Sequence, residues 1–252
     1  MNNITQREIT EYVENNIPNF HENRLNKLIK LRLKPVLKRK NPYLFKVKNI
    51  TTANDFIKTI LDAYLSSQEE TLFGSFLEAL ALFICERVYG GRKSSGEGID
   101  LEFEKDSIKY IVSIKSGPNW GNSSQIKKMK DCFNKAKRIL GTNTSTPLNI
   151  ISINGCCYGK DDKPYKGDYL KLCGQRFWEF ISGNENLYTE IIKPLGYNAK
   201  EKNDRFLMEY SRVINKFSLE FMNMFCSADG TIQWETLVRF NSQMQTESKP
   251  QK

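Results

Sequence analysis

Gly98-Ile99-Asp100-Leu101-Glu102-Phe103, then Glu104-Lys105-Asp106-Ser107, then Ile108-Lys109-Tyr110-Ile111-Val112-Ser113-Ile114-Lys115 is the stretch from which the fold follows. Apolar and polar residues alternate with period two on both sides of a polar centre, which predicts two strands joined by a turn. Setting Phe103 against Ile108 places Asp100 opposite Ile111, with Ser113 and Lys115 on the face that Asp100 shares. Ile99, Leu101, Phe103, Tyr110, Val112 and Ile114 then point to the other face, toward a core. A carboxylate and an ammonium meet at one edge of a hairpin whose apolar face is buried.

Working outward on the N-terminal side, Gly90-Gly91-Arg92-Lys93-Ser94-Ser95-Gly96-Glu97-Gly98 reads as a basic loop that can approach a phosphate backbone, without any P-loop pattern. Before it, Glu70 to Tyr89 carries Phe73, Phe76, Leu77, Leu80, Leu82, Phe83, Ile84 and Val88, apolar nearly all round, and predicts a buried central helix. Glu78 lies in its middle. A buried carboxylate needs a partner, either a lysine or backbone group, or a metal ion or water. A separate helix is expected from Asp55 to about Ser66, behind a cap at Thr52 to Asp55. Residues 1–40 read as helical with a break at Pro18, and Asn41-Pro42 closes that unit. Its lysines and arginines form either a solvated face or a phosphate-tracking one.

On the C-terminal side, Ser116 to Gln125 is a polar loop, and Ile126 to about Leu140 is a strongly basic helix. Asn122, Ser123 and Ser124 are candidate caps, and free amides at a helix start suit phosphate. Next to the polar edge of the hairpin, that helix is expected to meet a DNA backbone. Leu148 to Tyr158 is an expected buried strand and Leu170 to Gly174 a short one. Helices follow from Gln175 to Leu195, over residues 201–226 and around Trp234, with a disordered tail over residues 242–252. The domain plan is a helical arm over residues 1–40 and a catalytic domain over residues 41–241.

The totals narrow the chemistry. With 38 Lys+Arg against 29 Asp+Glu, the net charge of +9 favours a polyanionic partner, nucleic acid before membrane. No apolar run approaches the roughly 18 residues of a spanning helix, and the polar, acidic N-terminus does not resemble a signal peptide. The six cysteines show no CxxC spacing, which fits a reduced, cytoplasmic protein. The single histidine, His21, argues against Ser-His-Asp and Cys-His catalysis and against HExxH zinc sites. Hydrolytic chemistry in this chain therefore has to rest on carboxylates, lysine and a hard metal ion. An Asp and a Lys on one hairpin edge are what a metal-dependent phosphodiesterase requires.

On Ile99-Asp100 and Ser113-Ile114-Lys115, with Glu78 on the preceding helix, the chain resembles the PD-(D/E)xK nucleases, and within them type II restriction endonucleases. The order of parts from Phe73 to Leu140, the Phe177-Trp178 helix and the Ala228-Asp229-Gly230-Thr231 turn look like enzymes that cut G/C-rich interrupted palindromes. Ile99 stands where the motif has proline, and Ser113 stands where it has an acidic residue. Relatives with SxK supply the missing carboxylate from elsewhere, often the next helix, where this chain has Lys128 and Met129. Glu78 is the preferred substitute, ahead of Glu97 and Asp131.

The resemblance implies an α/β fold, a central mixed β-sheet flanked by helices, here with extra N- and C-terminal helices. It implies Asp100, Lys115, Glu78 and Ser113 as catalytic residues. Mg²⁺ would be held by Asp100, Glu78 and the main-chain carbonyl of Ile114. Lys93, Asn122, Ser123, Ser124, Gln125, Lys127 and Lys128 are the expected DNA contacts. The implied activity is sequence-specific cleavage of double-stranded DNA by a homodimer, with a structure-specific nuclease or a non-catalytic DNA-binding module as alternatives.

Overall fold

A computed structural model describes residues 4–142 and 149–244. Four helices come first: α1 (Gln6–Ile29), α2 (Leu33–Lys38), α3 (Pro42–Val47) and α4 (Ala53–Tyr89). Strands β1 (Arg92–Lys93), β2 (Leu101–Lys105) and β3 (Ile108–Lys115) lead into α5 (Ser123–Thr142), β4 (Ile150–Cys156) and β5 (Leu170–Cys173). The chain ends with α6 (Gln175–Ser182), α7 (Leu187–Glu190), α8 (Ile192–Leu195), α9 (Ala199–Phe225) and α10 (Trp234–Ser242). It divides into two compact units, residues 1–20 with 70–199, and residues 21–69 with 200–252.

The first unit holds a five-stranded mixed sheet in the order β1-β2-β3-β4-β5. The hairpin β2–β3 is antiparallel, whereas β3–β4 and β4–β5 are parallel. The α/β architecture implied by the resemblance, a mixed sheet with flanking helices, is therefore present. One cluster joins Leu80, Ala81 and Ile84 of α4 to Leu101, Phe103, Val112, Ile114 and Ile153 of the strands, with Phe177 and Trp178 of α6. Ile9, Val13 and Ile17 of α1 belong to the same core. A second cluster packs Met129, Cys132, Phe133 and Ala136 of α5 on Ile111 and Tyr169. Helices thus cover the sheet through two separate apolar clusters, which fits strands that are parallel at the sheet's centre.

The hairpin register differs from the expected one. Phe103 faces Tyr110, and Lys105 faces Ile108, so only Asp106 and Ser107 form the turn. Both have positive φ, 53° and 62°, the backbone of a two-residue turn whose twist matches that of the strands. The shift is by two residues, an even number, so the side chains keep their faces. Ile99 is the exception. It packs with Ile111 and Met129, opposite to the face expected for it. Regular pairing starts at Leu101, and a turn from Gly96 to Ile99 breaks the alternation just before it.

Three helix boundaries also differ. Residues 53–89 form one helix of 37 residues instead of two, because Ser66-Ser67-Gln68-Glu69 contains no Gly or Pro and propagating a helix is easier than nucleating another. α1 runs through Pro18, anchored by Ile9, Val13 and Ile17 before the proline and by Leu25 and Leu28 after it. Asn41-Pro42 opens α3 rather than closing the preceding segment: the Asn41 side chain accepts from the Tyr43 amide, and Pro42 takes the first helical position.

In the second unit, Phe56, Ile57, Ile60 and Leu61 of α4 pack with Phe217, Phe221 and Phe225 of α9 and Leu237 of α10. The expected strand at Leu148 to Tyr158 is β4, Ile150–Cys156, and Leu148 lies outside the described residues. Of the expected tail, Ser242 ends α10 and residues 245–252 lie outside the described residues.

Candidate active site

Asp100 sits one residue before β2, and its own N–H donates to the Val112 carbonyl at 2.8 Å. Its carboxylate is turned toward β3. Asp100 Oδ2 accepts from the main-chain N–H of Ile114 at 2.6 Å and from Ser113 Oγ at 3.4 Å. Lys115 Nζ lies 3.8 Å from the same oxygen. Among the described residues Oδ1 takes part in none of these contacts. The hairpin thus brings together Asp100, Ser113 and Lys115, while the Ile114 amide locks the carboxylate in place with a charge-assisted hydrogen bond.

Glu78, on α4, belongs to this group. Burial first, and the Asp100 charge second, push its carboxyl above the usual carboxylate range; Lys93 and Lys115 pull it back down. Among the described residues no hydrogen bond or ion pair holds it. Its neighbour Cys157 is pushed up to about 12 by burial and by the Glu78 charge, so the thiol stays protonated at neutral pH and is no nucleophile.

The other carboxylates weighed from the sequence stand elsewhere. Glu97 pairs with Lys128 at 3.9 Å and Lys135 at 3.5 Å of α5. Asp131 is exposed on α5, off the buried stripe of Met129, Cys132, Phe133 and Ala136.

Does this arrangement suit a metal? Among the described residues no group of three or more His, Cys, Asp or Glu is poised to hold one. Asp100 with an open Oδ1, and Glu78 with no partner, make two. A structural metal would need more, but Mg²⁺ is commonly held by one or two carboxylates, with waters and a substrate phosphate completing its octahedron. The Asp100 charge disfavours the ionised form of Glu78, which a divalent cation held by the two residues would relieve. The residues fit a hard catalytic ion.

All the expected DNA contacts but Lys93 lie at the start of α5. The Asn122 amide donates to Gln125 Oε1 at 2.9 Å, and the Gln125 amide donates to Asn122 Oδ1 at 3.0 Å, a reciprocal cap of the helix. Asn122, Ser123, Ser124, Gln125 and Lys127 are all exposed. Lys128 is exposed too, but shares Glu97 with Lys135. Lys93 is exposed on β1, beside Arg92, which pairs with Glu102 at 2.7 Å.

Two residues that the sequence singles out for nothing adjoin the site: one lies against Lys115, and the second holds the first. The Trp120 ring has Lys115 Nζ 5.4 Å from its centroid, and Trp120 Nε1 donates to Asn154 Oδ1 at 3.0 Å. An asparagine directly after Ile150-Ile151-Ser152-Ile153, within a strand expected to be buried, was the available signal, since a buried amide must find partners.

The family model of the type II restriction endonuclease EcoO109I matches residues 7–203. The chain belongs to this family. No curated protein sequence matches it. The EcoO109I match spans every residue of the Asp100 site, and membership makes the chain a nuclease acting on DNA phosphodiesters. The cluster of Asp100, Glu78 and Lys115 lies entirely within the first compact unit.

Proposed function

We propose that the protein is a Mg²⁺-dependent type II site-specific deoxyribonuclease that makes double-strand cuts as a homodimer, with Asp100, Glu78, Ser113 and Lys115 as its catalytic residues. The observation that carries this is the meeting of Asp100 and Lys115 across the hairpin, 3.8 Å apart, with the Glu78 carboxyl, unpartnered among the described residues, near enough to feel both charges. Asp100, Glu78 and the main-chain carbonyl of Ile114 would hold Mg²⁺, which supplies positive charge against the dianion that builds up at the scissile phosphate.

Lys115 orients the attacking water and steadies the negative charge that builds on it, donating from an ammonium head that already lies at the carboxylate edge, while the water's proton leaves to solvent. Ser113 replaces the acidic residue of the motif. It is 1% exposed and donates to Asp100, so it acts by fixing that carboxylate rather than by binding the ion. Glu78 supplies the second negative charge. The exposed cap and lysines of α5, with Lys93, track the DNA backbone through amides and ammonium groups. Two-fold symmetry would match a palindromic site, each subunit cutting one strand.

Incubating the purified protein with phage DNA and Mg²⁺ tests the proposal. Discrete fragments that disappear with EDTA are expected. A smear, nicking confined to branched DNA, or binding without cleavage would refute site-specific cutting.

A further inference from the structure

Lys115 carries the only ammonium in hydrogen-bonding or ion-pair reach of Asp100 among the described residues, and at 3.8 Å it is too long for a hydrogen bond. Something other than Asp100 must keep this flexible side chain in place. We infer that Trp120 is a positioning residue for Lys115, its indole face holding the ammonium beside Asp100 while Asn154 fixes the indole. This rests on the role proposed above for Lys115.

Three observations carry the inference. First, Lys115 Nζ lies 5.4 Å from the Trp120 ring centroid, within the roughly 6 Å over which an indole attracts a cation. Second, the indole is held in place. Trp120 Nε1 donates to Asn154 Oδ1 at 3.0 Å, and Asn154 Nδ2 donates to the Ser113 carbonyl at 3.2 Å. Asn154 is 1% exposed and is paired with Ser113 across the parallel β3–β4 ladder, so its amide ties Trp120 to the strand that bears Lys115.

Third, the loop carrying Trp120 is itself fastened to the sheet. Cys157 and Tyr158 donate main-chain N–H groups to the Lys115 and Ser116 carbonyls at 2.9 and 3.0 Å. Lys171 of β5 donates to the Pro118 carbonyl at 2.8 Å. A Cβ on Gly117 would stand 2.3 Å from the Tyr158 ring, and one on Gly159 would stand 2.6 Å from Pro118, so the loop lies close-packed on its neighbours. The loop that leads to Trp120 is thus tied to β4 and β5 at Lys115, Ser116 and Pro118, which serves the aiming of a catalytic ammonium.

The test is a double-mutant cycle on plasmid cleavage, using a plasmid whose site has been mapped from phage-DNA fragments. Trp120→Leu should lower kcat by about five- to thirtyfold while KM stays within about twofold. Trp120→Phe, which keeps an aromatic face but loses the Nε1–H bond to Asn154, should lose less, about two- to tenfold. In a Lys115→Ala background, followed under single-turnover conditions at excess enzyme, Trp120→Leu should cause no further loss. Equal losses in both backgrounds would overturn the inference, because a merely structural tryptophan acts whether or not the lysine is there. A rise in KM alone would overturn it too. If Lys115→Ala cleaves normally, the proposed role of Lys115 falls, and this inference with it. If Lys115→Ala is inactive while Trp120→Leu is unimpaired, only the positioning role falls. Should Trp120→Leu fail to fold, Trp120→Met and its Lys115→Ala double mutant take its place with the same expected and overturning outcomes.

Discussion

Replacing Asp100 by Asn separates what this carboxylate does for the fold from what it does for cleavage. Its Oδ2 accepts the Ile114 amide at 2.6 Å. A hydrogen bond to a charged group contributes about 1.5–3 kcal/mol and one between neutral groups about 1 kcal/mol. An asparagine oxygen can still accept, so the change removes about 0.5–2 kcal/mol by that difference. Loss of the charge also relieves the Glu78 carboxyl, which offsets part of it. The net destabilisation stays under about 2 kcal/mol, a fall in Tm of less than about 8 °C for a chain of this size. Asp100→Ala deletes the acceptor altogether, strands the Ile114 N–H, and costs about 1–3 kcal/mol. Cleavage follows a different scale. Charge neutralisation by a metal is a matter of several kcal/mol, and at about 1.4 kcal/mol per decade both variants should cut about a thousandfold more slowly. Thermal melts by circular dichroism and plasmid cleavage under single-turnover conditions read the two quantities. Cleavage by Asp100→Asn within about threefold of wild type would refute the site, and an Asn variant less stable than the Ala variant would refute the hydrogen-bond argument.

Three other outcomes can be checked on the same protein. Glu78 has a folded-state pKa above its unfolded value, so its ionisation opposes folding: the penalty is absent at pH low enough to protonate both states, and it grows as pH rises through the usual carboxylate range and the raised value above it. In EDTA, Glu78→Gln should therefore raise Tm at pH 8 and lose that advantage near pH 4; no gain at pH 8 would contradict the burial penalty on Glu78 and the smaller part that Asp100 adds to it. Lys127 is exposed and free of any ion pair among the described residues, so Lys127→Ala should reduce the slope of log K against log salt by about 0.9. Lys128→Ala should do less, because Glu97 already faces that lysine; anisotropy titrations showing both slopes unchanged would remove α5 from the interface. A Cβ on Gly155 would stand 2.2 Å from the Phe177 ring, which is 0% exposed and cannot swing aside. Gly155→Ala should destabilise by about 1–3 kcal/mol, and an unchanged melting curve would show that the ring yields.

Much of the site is legible in the chain because it rests on alternation. Asp100, Ser113 and Lys115 share a face whatever even register the hairpin adopts, and the two-residue error in pairing did not disturb them. Glu78 is legible for another reason: a carboxylate in a helix apolar nearly all round needs a partner. The cap of α5 could likewise be read from Asn122 and its neighbours, since capping is local chemistry.

What the sequence alone determined, then, was set by the chain's own residues and their neighbours: period, capping, charge, and a single histidine, too few for other hydrolytic schemes. Which turn closed the hairpin depended on Asp106 and Ser107 both accepting positive φ, a choice between backbone wells that alternation does not encode. Glu78 found Asp100, and Trp120 found Asn154 and Lys115, only once strand pairing and helix packing had brought distant segments together. Those meetings are decided by how whole faces bury against one another, and no short stretch of residues contains that information.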